Sequence, residues 1–263
     1  MQVLGKENVV RGNENLWPPV QAAVAPVMSA KFCYHCTTPS WYNSFMGIVD
    51  FIFPKICVGC GREGKYICDA CQRKLMVPVQ ICPMCCKPSL DGWTHPKCIR
   101  TEGIERLITG LSYPGLVQKC LKKVKYKSAW EIITFLHGLC NFHAVENGIV
   151  TSVPMWRQKE RSRGFNQAEI LAQLIADDCG MANIAILERT RETKPMFGLK
   201  KKERRKNIEG AFEIKSKSQL LQYSNQRVIL VDDVWTTGAT IRECARILKQ
   251  AGVKEIWGLT LAK

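Results

Sequence analysis

The residues best suited to chemistry lie together in Val228-Ile-Leu-Val-Asp232-Asp233-Val-Trp-Thr236-Thr237-Gly238-Ala239-Thr240. Its aliphatic start fits a strand buried on both faces of a parallel sheet. Such a strand delivers two carboxylates, then hydroxyls around a glycine, then a helix N-terminus. Backbone N–H groups, threonine hydroxyls and the helix dipole together cradle a phosphate. Asp232 and Asp233 can accept hydrogen bonds from vicinal sugar hydroxyls, so the loop suits a ribose 5-phosphate. The plainer alternative is that the acids only cap Thr236 or the helix and that Gly238 only turns the chain. Adjacent carboxylates at the end of a buried strand are costly without a ligand or partner, which weighs against it.

A second constellation is made of thiols. Ten of the 14 cysteines lie between Cys33 and Cys98. Cys57-x2-Cys60, Cys68-x2-Cys71, Cys82-x2-Cys85 and His95-x2-Cys98 are four two-ligand units, enough for two tetrahedral zinc sites. Thiolates two residues apart grip one metal from a tight turn, and Gly61 permits the positive φ such a turn needs. The simplest pairing is Cys57, Cys60, Cys68, Cys71 for one zinc and Cys82, Cys85, His95, Cys98 for the other, with an interleaved pairing also open. Four-ligand sets are closed, as structural zinc requires, whereas catalytic zinc keeps an open position. Cys86 reads as a spare thiol or alternative ligand. Cys33 and Cys36 with His35 do not complete a tetrahedral set. Cys120, Cys140, Cys179 and Cys244 are scattered, as small buried hydrophobes are.

The surrounding pattern must position these groups. Residues 1–45 mix Gly, Asn, Pro and Ala without periodicity and read as an extension expected to be disordered. Residues 46–100 form the cysteine module, which is too small to bury a core without metal. Residues 101–263 alternate strand-like and helix-like runs. Gly148 to Val153 is β-branched, and Ala168 to Asp178 has Ile170, Leu171, Leu174 and Ile175 at helical spacing. Val228 to Val231 is followed by the helical Ile241 to Ala251 and the strand-like Ile256 to Leu261. This order predicts βαβ crossovers and an α/β sheet.

Composition narrows the function classes. The 263 residues are 46% hydrophobic and 23% charged, which excludes a wholly disordered chain. No apolar run is long enough to span a bilayer. Pro18, Pro19 and Pro26 make the N-terminal stretch a poor secretory signal, so zinc in a reducing compartment is expected rather than disulfides. The formal net charge of +15 points to polyanions. Residues 189–206 hold nine Lys or Arg, and Lys119 to Lys127 holds five Lys near Tyr126 and Trp130. Basic residues beside aromatics suit single-stranded nucleic acid, although a solvated face beside core aromatics gives the same pattern.

The 228–240 segment resembles the 5-phosphoribosyl-1-diphosphate (PRPP) signature of type I phosphoribosyltransferases. Together with the cysteine module, the chain resembles the ComF family of competence proteins. Tyr113 to Tyr126, Val153-Pro154 with Arg157, Arg161 and Arg163-Gly-Phe-Asn-Gln167, and Arg189 to Phe212 with Arg204-x-x-Asn207 extend the likeness over about residues 46–263. The resemblance implies a type I phosphoribosyltransferase-like sheet behind a double zinc ribbon. It gives Asp232 and Asp233 to ribose hydroxyls and Mg²⁺-bound water, as the catalytic carboxylates. Thr236, Thr237, Gly238, Ala239 and Thr240 would hold the 5-phosphate, with the turn after Val153 and its arginines facing pyrophosphate. Residues 189–207 match a hood over the site. There Thr193-Lys-Pro-Met196 departs from the family's Thr-x-x-Gln, at the base-side contact.

The resemblance also implies cytoplasmic action in DNA uptake, at the inner membrane's cytoplasmic face through other uptake proteins. Three functions remain open: a competence protein binding PRPP and single-stranded DNA, a salvage phosphoribosyltransferase, and a zinc-ribbon adaptor with a vestigial PRPP site. Transfer would displace pyrophosphate at C1 through an oxocarbenium-like state. No residue set identifies an acceptor base.

Overall fold

The computed structural model describes residues 55–123, 129–142, 145–194, 200–223 and 225–263. The N-terminal extension, Cys33, His35, Cys36, the Lys125-Tyr126-Lys127 end of the lysine stretch and Pro195-Met196 lie outside the described residues. All described residues belong to one compact unit, 50–263.

The core is a five-stranded sheet in the order β1-β7-β6-β2-β3. Its strands are β1 (Arg106–Leu111), β2 (Ile149–Ser152), β3 (Ala182–Asn183), β6 (Val228–Val234) and β7 (Ile256–Ala262), and every pairing is parallel. A separate antiparallel pair, β4 (Leu187–Arg189) with β5 (Phe212–Ile214), frames the 189–207 segment, which the resemblance reads as a hood. Every residue of β7 and the first four of β6 are buried. This is why Val228 to Val231 reads as an unbroken apolar run and β7 as an apolar run interrupted by Thr260, and each fully buried aliphatic side chain contributes about 1.5–3 kcal/mol.

Side chains alternate between two core layers. On one face Ile229, Val231, Leu259 and Leu261 pack under the helices α2 (Leu116–Lys123), α3 (Ala129–His137) and α5 (Gln167–Cys179). On the other, Val228, Leu230 and Ile256 meet α8 (Ala239–Gln250) and the hood. Ile241, Cys244, Ala245 and Leu248 form the buried stripe of α8, spaced as an amphipathic helix requires. Asn166 caps α5 by accepting from Ala168 N–H at 3.1 Å, and its Nδ2 donates to the Val153 carbonyl at 3.0 Å. Thus the Phe165-Asn166-Gln167 stretch fixes the turn after β2.

The cysteine module straddles the β1 edge of the sheet. Its first half, with Cys57, Ile67 and Cys71, packs into the α2–α3 layer. Its second half, with Ile81, packs into the α8 layer. Between them the chain runs along β1: Met76 carbonyl accepts from Ser112 N–H at 2.8 Å, and the Gln80 side chain accepts from Thr109 N–H at 3.0 Å and donates to its carbonyl at 2.9 Å. An otherwise open sheet edge is thereby covered.

Candidate functional site: two metal knuckles and a phosphate loop

Two groups of ligand atoms come together, Cys57, Cys60, Cys68, Cys71 and Cys82, Cys85, His95, Cys98, each with all its atoms within 4.8 Å of one another. Zn–S bonds of about 2.3 Å place tetrahedral sulfurs ~3.8 Å apart, so both sets fit zinc without rearrangement. The two turns share one plan. Gly61 N–H donates to Cys57 carbonyl and Cys86 N–H to Cys82 carbonyl, both at 2.9 Å. Bridges Ile56–Glu63 and Ile81–Pro88 close them in the same way. Gly61 sits at φ +78°, and its counterpart Cys86 at φ +63°. Cys86 is therefore the left-handed residue of the second turn and not a ligand of either group.

One buried thiol in each set is prepared for metal, whereas burial raises the thiols of Cys71 and Cys98. Burial opposes ionisation of Cys57, but the N–H groups of Cys68, Cys60 and Gly59 outweigh it and bring the thiol to about 6. Cys82 is brought to about 7 in the same way, burial being outweighed by the N–H groups of Cys85, His95 and Met84. His95 Nε2–H donates to the Pro88 carbonyl at 3.0 Å, which leaves Nδ1, 3.3 Å from Cys85 Sγ, as the ligating nitrogen. Of the scattered cysteines, Cys120 and Cys244 are buried and Cys140 and Cys179 half-buried, with burial raising all four thiols.

The second site is built at the C-terminal edge of the sheet, where parallel α/β folds place ligands. β6 ends in Asp232 and Asp233, and the loop enters α8 through Gly238 at φ +70°. A Cβ at Gly238 would lie 2.2 Å from the Trp235 ring, so only glycine allows the loop to close over this buried indole. β2 pairs with β6, and Val153 N–H donates to the Val231 carbonyl at 2.8 Å. The turn after Val153 therefore leaves the sheet beside the two acids.

Desolvation, then the charge of Asp233, pushes the Asp232 carboxyl well above its usual range. Asp233 is also raised by desolvation, partly offset by Arg163 and Lys159. Two adjacent carboxylates, both raised first by desolvation, are a donor set that a divalent cation would relieve, so the acids fit Mg²⁺.

A cleft of about 410 Å³ lies beside the loop, lined by Trp156, Lys159, Ser162, Arg189, Thr193 and Thr240 among others. It joins three stretches distant in sequence: α4 (Arg157–Arg163), the hood and the start of α8. Of the three predicted arginines, Arg163 is near enough to act on Asp233. Arg157 instead pairs with Glu188 at 3.3 Å, and none of the three, Arg163 included, lines the cleft. Lys159, one turn before Arg163, does.

Arg189 is the cleft residue that sequence reasoning passed over. Burial lowers its pKa, its Nη2 donates to Thr193 Oγ1, and its Nε has no hydrogen-bond partner. Trp156 Nε1 is likewise buried and unpartnered. In the hood, Asn207 grips Lys194 on both its N–H (3.0 Å) and its carbonyl (2.8 Å), and Arg191 donates to the Asn207 carbonyl. Asn207 of the Arg204-x-x-Asn207 motif thus ties the segment after β4 to α6 (Lys201–Ile208).

The architecture defines a zinc-ribbon protein with a phosphoribosyltransferase-type sheet. Family models agree: a double zinc ribbon domain matches residues 48–100, and a phosphoribosyl transferase domain matches residues 161–263. Competence protein F of Haemophilus influenzae is 30% identical over 216 residues, 79% of this chain and 90% of that protein. DNA utilization protein YhgH of Escherichia coli K12 is 28% identical, over 73% of this chain and 89% of its own. Competence protein ComFC of Bacillus subtilis is 27% identical, over 73% and 81%. The chain belongs to the ComF family of competence proteins. A solved structure of the allosteric regulatory enzyme of purine biosynthesis matches 51% of this chain and 25% of its own at 20% identity, with a TM-score of 0.33, too distant a likeness to weigh.

Proposed function

We propose that this protein binds PRPP with Mg²⁺ at the 232–240 loop and single-stranded DNA at a separate basic face, as a competence protein serving DNA uptake. The observation that carries the donor half is the cleft in which the helix after β2 and the segment after β4 meet Thr240 at the end of the 232–240 loop, with Asp232, Asp233 and Thr236 to Ala239 beside it rather than in its lining. Its volume falls in the range of small-ligand sites. The buried, unpartnered Arg189 Nε and Trp156 Nε1 each leave a cost of roughly 1–3 kcal/mol that an anionic ligand relieves.

In this reading Asp232 and Asp233 accept from the ribose hydroxyls. Thr236 to Thr240 receive the 5-phosphate on backbone N–H groups and hydroxyls at the start of α8. Lys159, Arg163 and Arg189 face the pyrophosphate, with Arg157 and Arg161 at the outer rim of the same helix. Mg²⁺ supplies charge neutralisation of the diphosphate. The hood excludes water from C1.

The DNA half rests on what the relatives' names say of them, competence and DNA utilization, and on α2. That helix exposes Lys119, Lys122 and Lys123 opposite buried Val117, Cys120 and Leu121, and Trp130 of α3 is 51% exposed. Phosphates would meet the lysines, and bases would stack on the indole. No helix among the described residues is long and apolar enough to cross a membrane. Action in the cytoplasm, with uptake partners at the inner membrane, completes the proposal.

Calorimetric titration with PRPP and Mg²⁺ tests the donor site. Wild type should bind at micromolar to millimolar PRPP, and Asp232→Asn with Asp233→Asn should weaken binding at least about tenfold, since a neutral amide accepts hydroxyl donors less well. Undetectable wild-type binding at millimolar PRPP would contradict it. Adding candidate bases to the same mixture, with pyrophosphate release as readout, tells a transferase from a donor-binding protein.

A further inference from the structure

Arg242, in the first turn of α8, holds the phosphate loop and the second metal knuckle at once. Its Nη1–H donates to the Thr237 carbonyl at 2.8 Å and its Nε–H to the Pro83 carbonyl at 2.7 Å. Nη2 reaches the Met84 carbonyl at 3.4 Å and Cys86 Sγ at 3.2 Å. The guanidinium also lies over the Trp235 ring, 5.1 Å from its centroid. Trp235 is the indole against which Gly238 closes.

The partners of this side chain are not scattered. Pro83 and Met84 are the residues between ligands Cys82 and Cys85, so the direction of their carbonyls is set by the shape of that turn. Thr237 is in the phosphate loop, and its carbonyl fixes the peptide plane shared with the Gly238 N–H. Cys86 occupies a left-handed position where glycine is the unstrained choice. Its thiol reaches the arginine, a contact that glycine would lack. The first knuckle is built against a different neighbour: a Cβ at Gly59 would come 3.1 Å from Leu116 of α2.

We propose that the second knuckle positions the phosphate loop through Arg242, so that metal held by Cys82, Cys85, His95 and Cys98 is coupled to binding of the phosphoribosyl donor, while metal at the first knuckle is not. This rests on the reading of 232–240 as the donor site. When the 82–86 turn loses its metal, the Pro83 and Met84 carbonyls no longer fix the guanidinium, and the brace on Thr237 is released. The loop then spends only part of its time in the binding shape, and apparent affinity falls by that fraction. Linkage requires the converse: bound donor must strengthen metal retention at the second knuckle by the same factor. Arg242 is a positioning residue, since its contacts are to carbonyls, a thiol and a ring.

The test uses full-length protein with cadmium-113 in both sites, because four-thiolate and three-thiolate-one-imidazole sites give separate resonances. Metal loss to a chelator is followed site by site, with and without PRPP and Mg²⁺, and PRPP affinity is measured by calorimetry. PRPP should slow loss from the second site roughly tenfold, within the usual range of coupling factors, and leave the first unchanged. Arg242→Ala should weaken PRPP by a similar factor, hasten loss from the second site only, and remove the protection by PRPP. Arg242→Lys should not restore it, because a point charge cannot serve carbonyls on two loops. Arg246→Ala is the control for charge on the same helix, since Arg246 bonds Glu243 and Gln250. Retention of the first-site resonance shows that a variant is folded. Equal protection of both sites, or Arg242→Ala with unchanged PRPP affinity in a background where wild type binds, overturns the coupling alone. A wild type that does not bind PRPP overturns the donor reading and the coupling with it.

Discussion

The two metal knuckles share a backbone plan and differ in what stands behind them. The first, with four thiolates and Gly61, packs into the layer of α2, whose outer face carries Lys119, Lys122 and Lys123. The second, with three thiolates, His95 and Cys86, packs into the layer of α8 and touches the proposed phosphate loop through Arg242. One small metal module thus backs both proposed working surfaces, one on each face of the sheet. A repeated turn acquires separate roles through its neighbours rather than through its own chemistry.

The largest expected effect is on the module as a whole. Zinc binding supplies about 10–16 kcal/mol to small domains of this kind. Purified protein should hold two zinc ions per chain by elemental analysis. Chelation should make residues 55–100 sensitive to protease while the far-UV signal of the α/β sheet persists. If both knuckles stay protected without metal, neither depends on zinc.

Next comes the cost of the donor site. Desolvation, and then Asp233, hold the Asp232 carboxyl above its ordinary range, so the folded chain keeps a proton that the unfolded chain releases. That contribution to stability is present below the ordinary carboxylate pKa and is lost as pH rises through the folded value. Wild-type Tm should therefore decline across this window, and that of Asp232→Asn should decline less, with Asp233 still raised by desolvation. At neutral pH the variant should melt about 2–4 °C higher, the response of a domain this size to roughly 1 kcal/mol, while binding PRPP less tightly. Calorimetric melting at several pH values decides it. A variant that melts lower would mean that Asp232 serves the fold.

On the other face, Lys122→Ala with Lys123→Ala should flatten the salt dependence of oligonucleotide binding. Two lost phosphate contacts reduce the log–log slope by about 1.4 for single strands. PRPP affinity should not change. Fluorescence anisotropy at several salt concentrations measures this, and a variant with the wild-type slope would place DNA elsewhere.

The smallest effect separates the knuckles themselves. A Cβ at Gly61 meets nothing within 4 Å, so Gly61→Ala should cost only its left-handed backbone, about 1 kcal/mol. Cys86→Gly should gain similar backbone relief but lose the thiol's contact with Arg242, for a net change near zero. Thermal melts of the zinc-loaded variants compare the two. Equal shifts would deny Cys86 its link to α8.

Much of this was legible in the sequence wherever one stretch carries its own signal. Val228 to Val231 announced a central strand because both its faces are buried, and the 241–248 stripe announced α8. The repeated knuckle was hidden: Cys57 and Cys82 are 25 residues apart, but glycine at 61 is matched by cysteine at 86, which read as a spare thiol. Orientation on a helix was equally hard to read. Arg157, Arg161 and Arg163 look alike in sequence, yet only Arg163 acts on Asp233, while Lys159 and Arg189 reach the cleft from neighbouring elements. The docking of the module includes long-range polar contacts, such as Gln80 to Thr109 and Arg242 to Pro83, which leave no periodic trace.

Hydrogen–deuterium exchange with each ligand in turn tests most directly whether the molecule has two working surfaces backed by two knuckles. PRPP with Mg²⁺ should protect peptides covering 153–163 and 232–242, together with the 82–86 turn, and leave 116–123 unchanged. A single-stranded oligonucleotide should protect 116–123 and leave 232–242 unchanged. Protection of the same peptides by both ligands, or no protection of 232–242 by PRPP, would contradict the account.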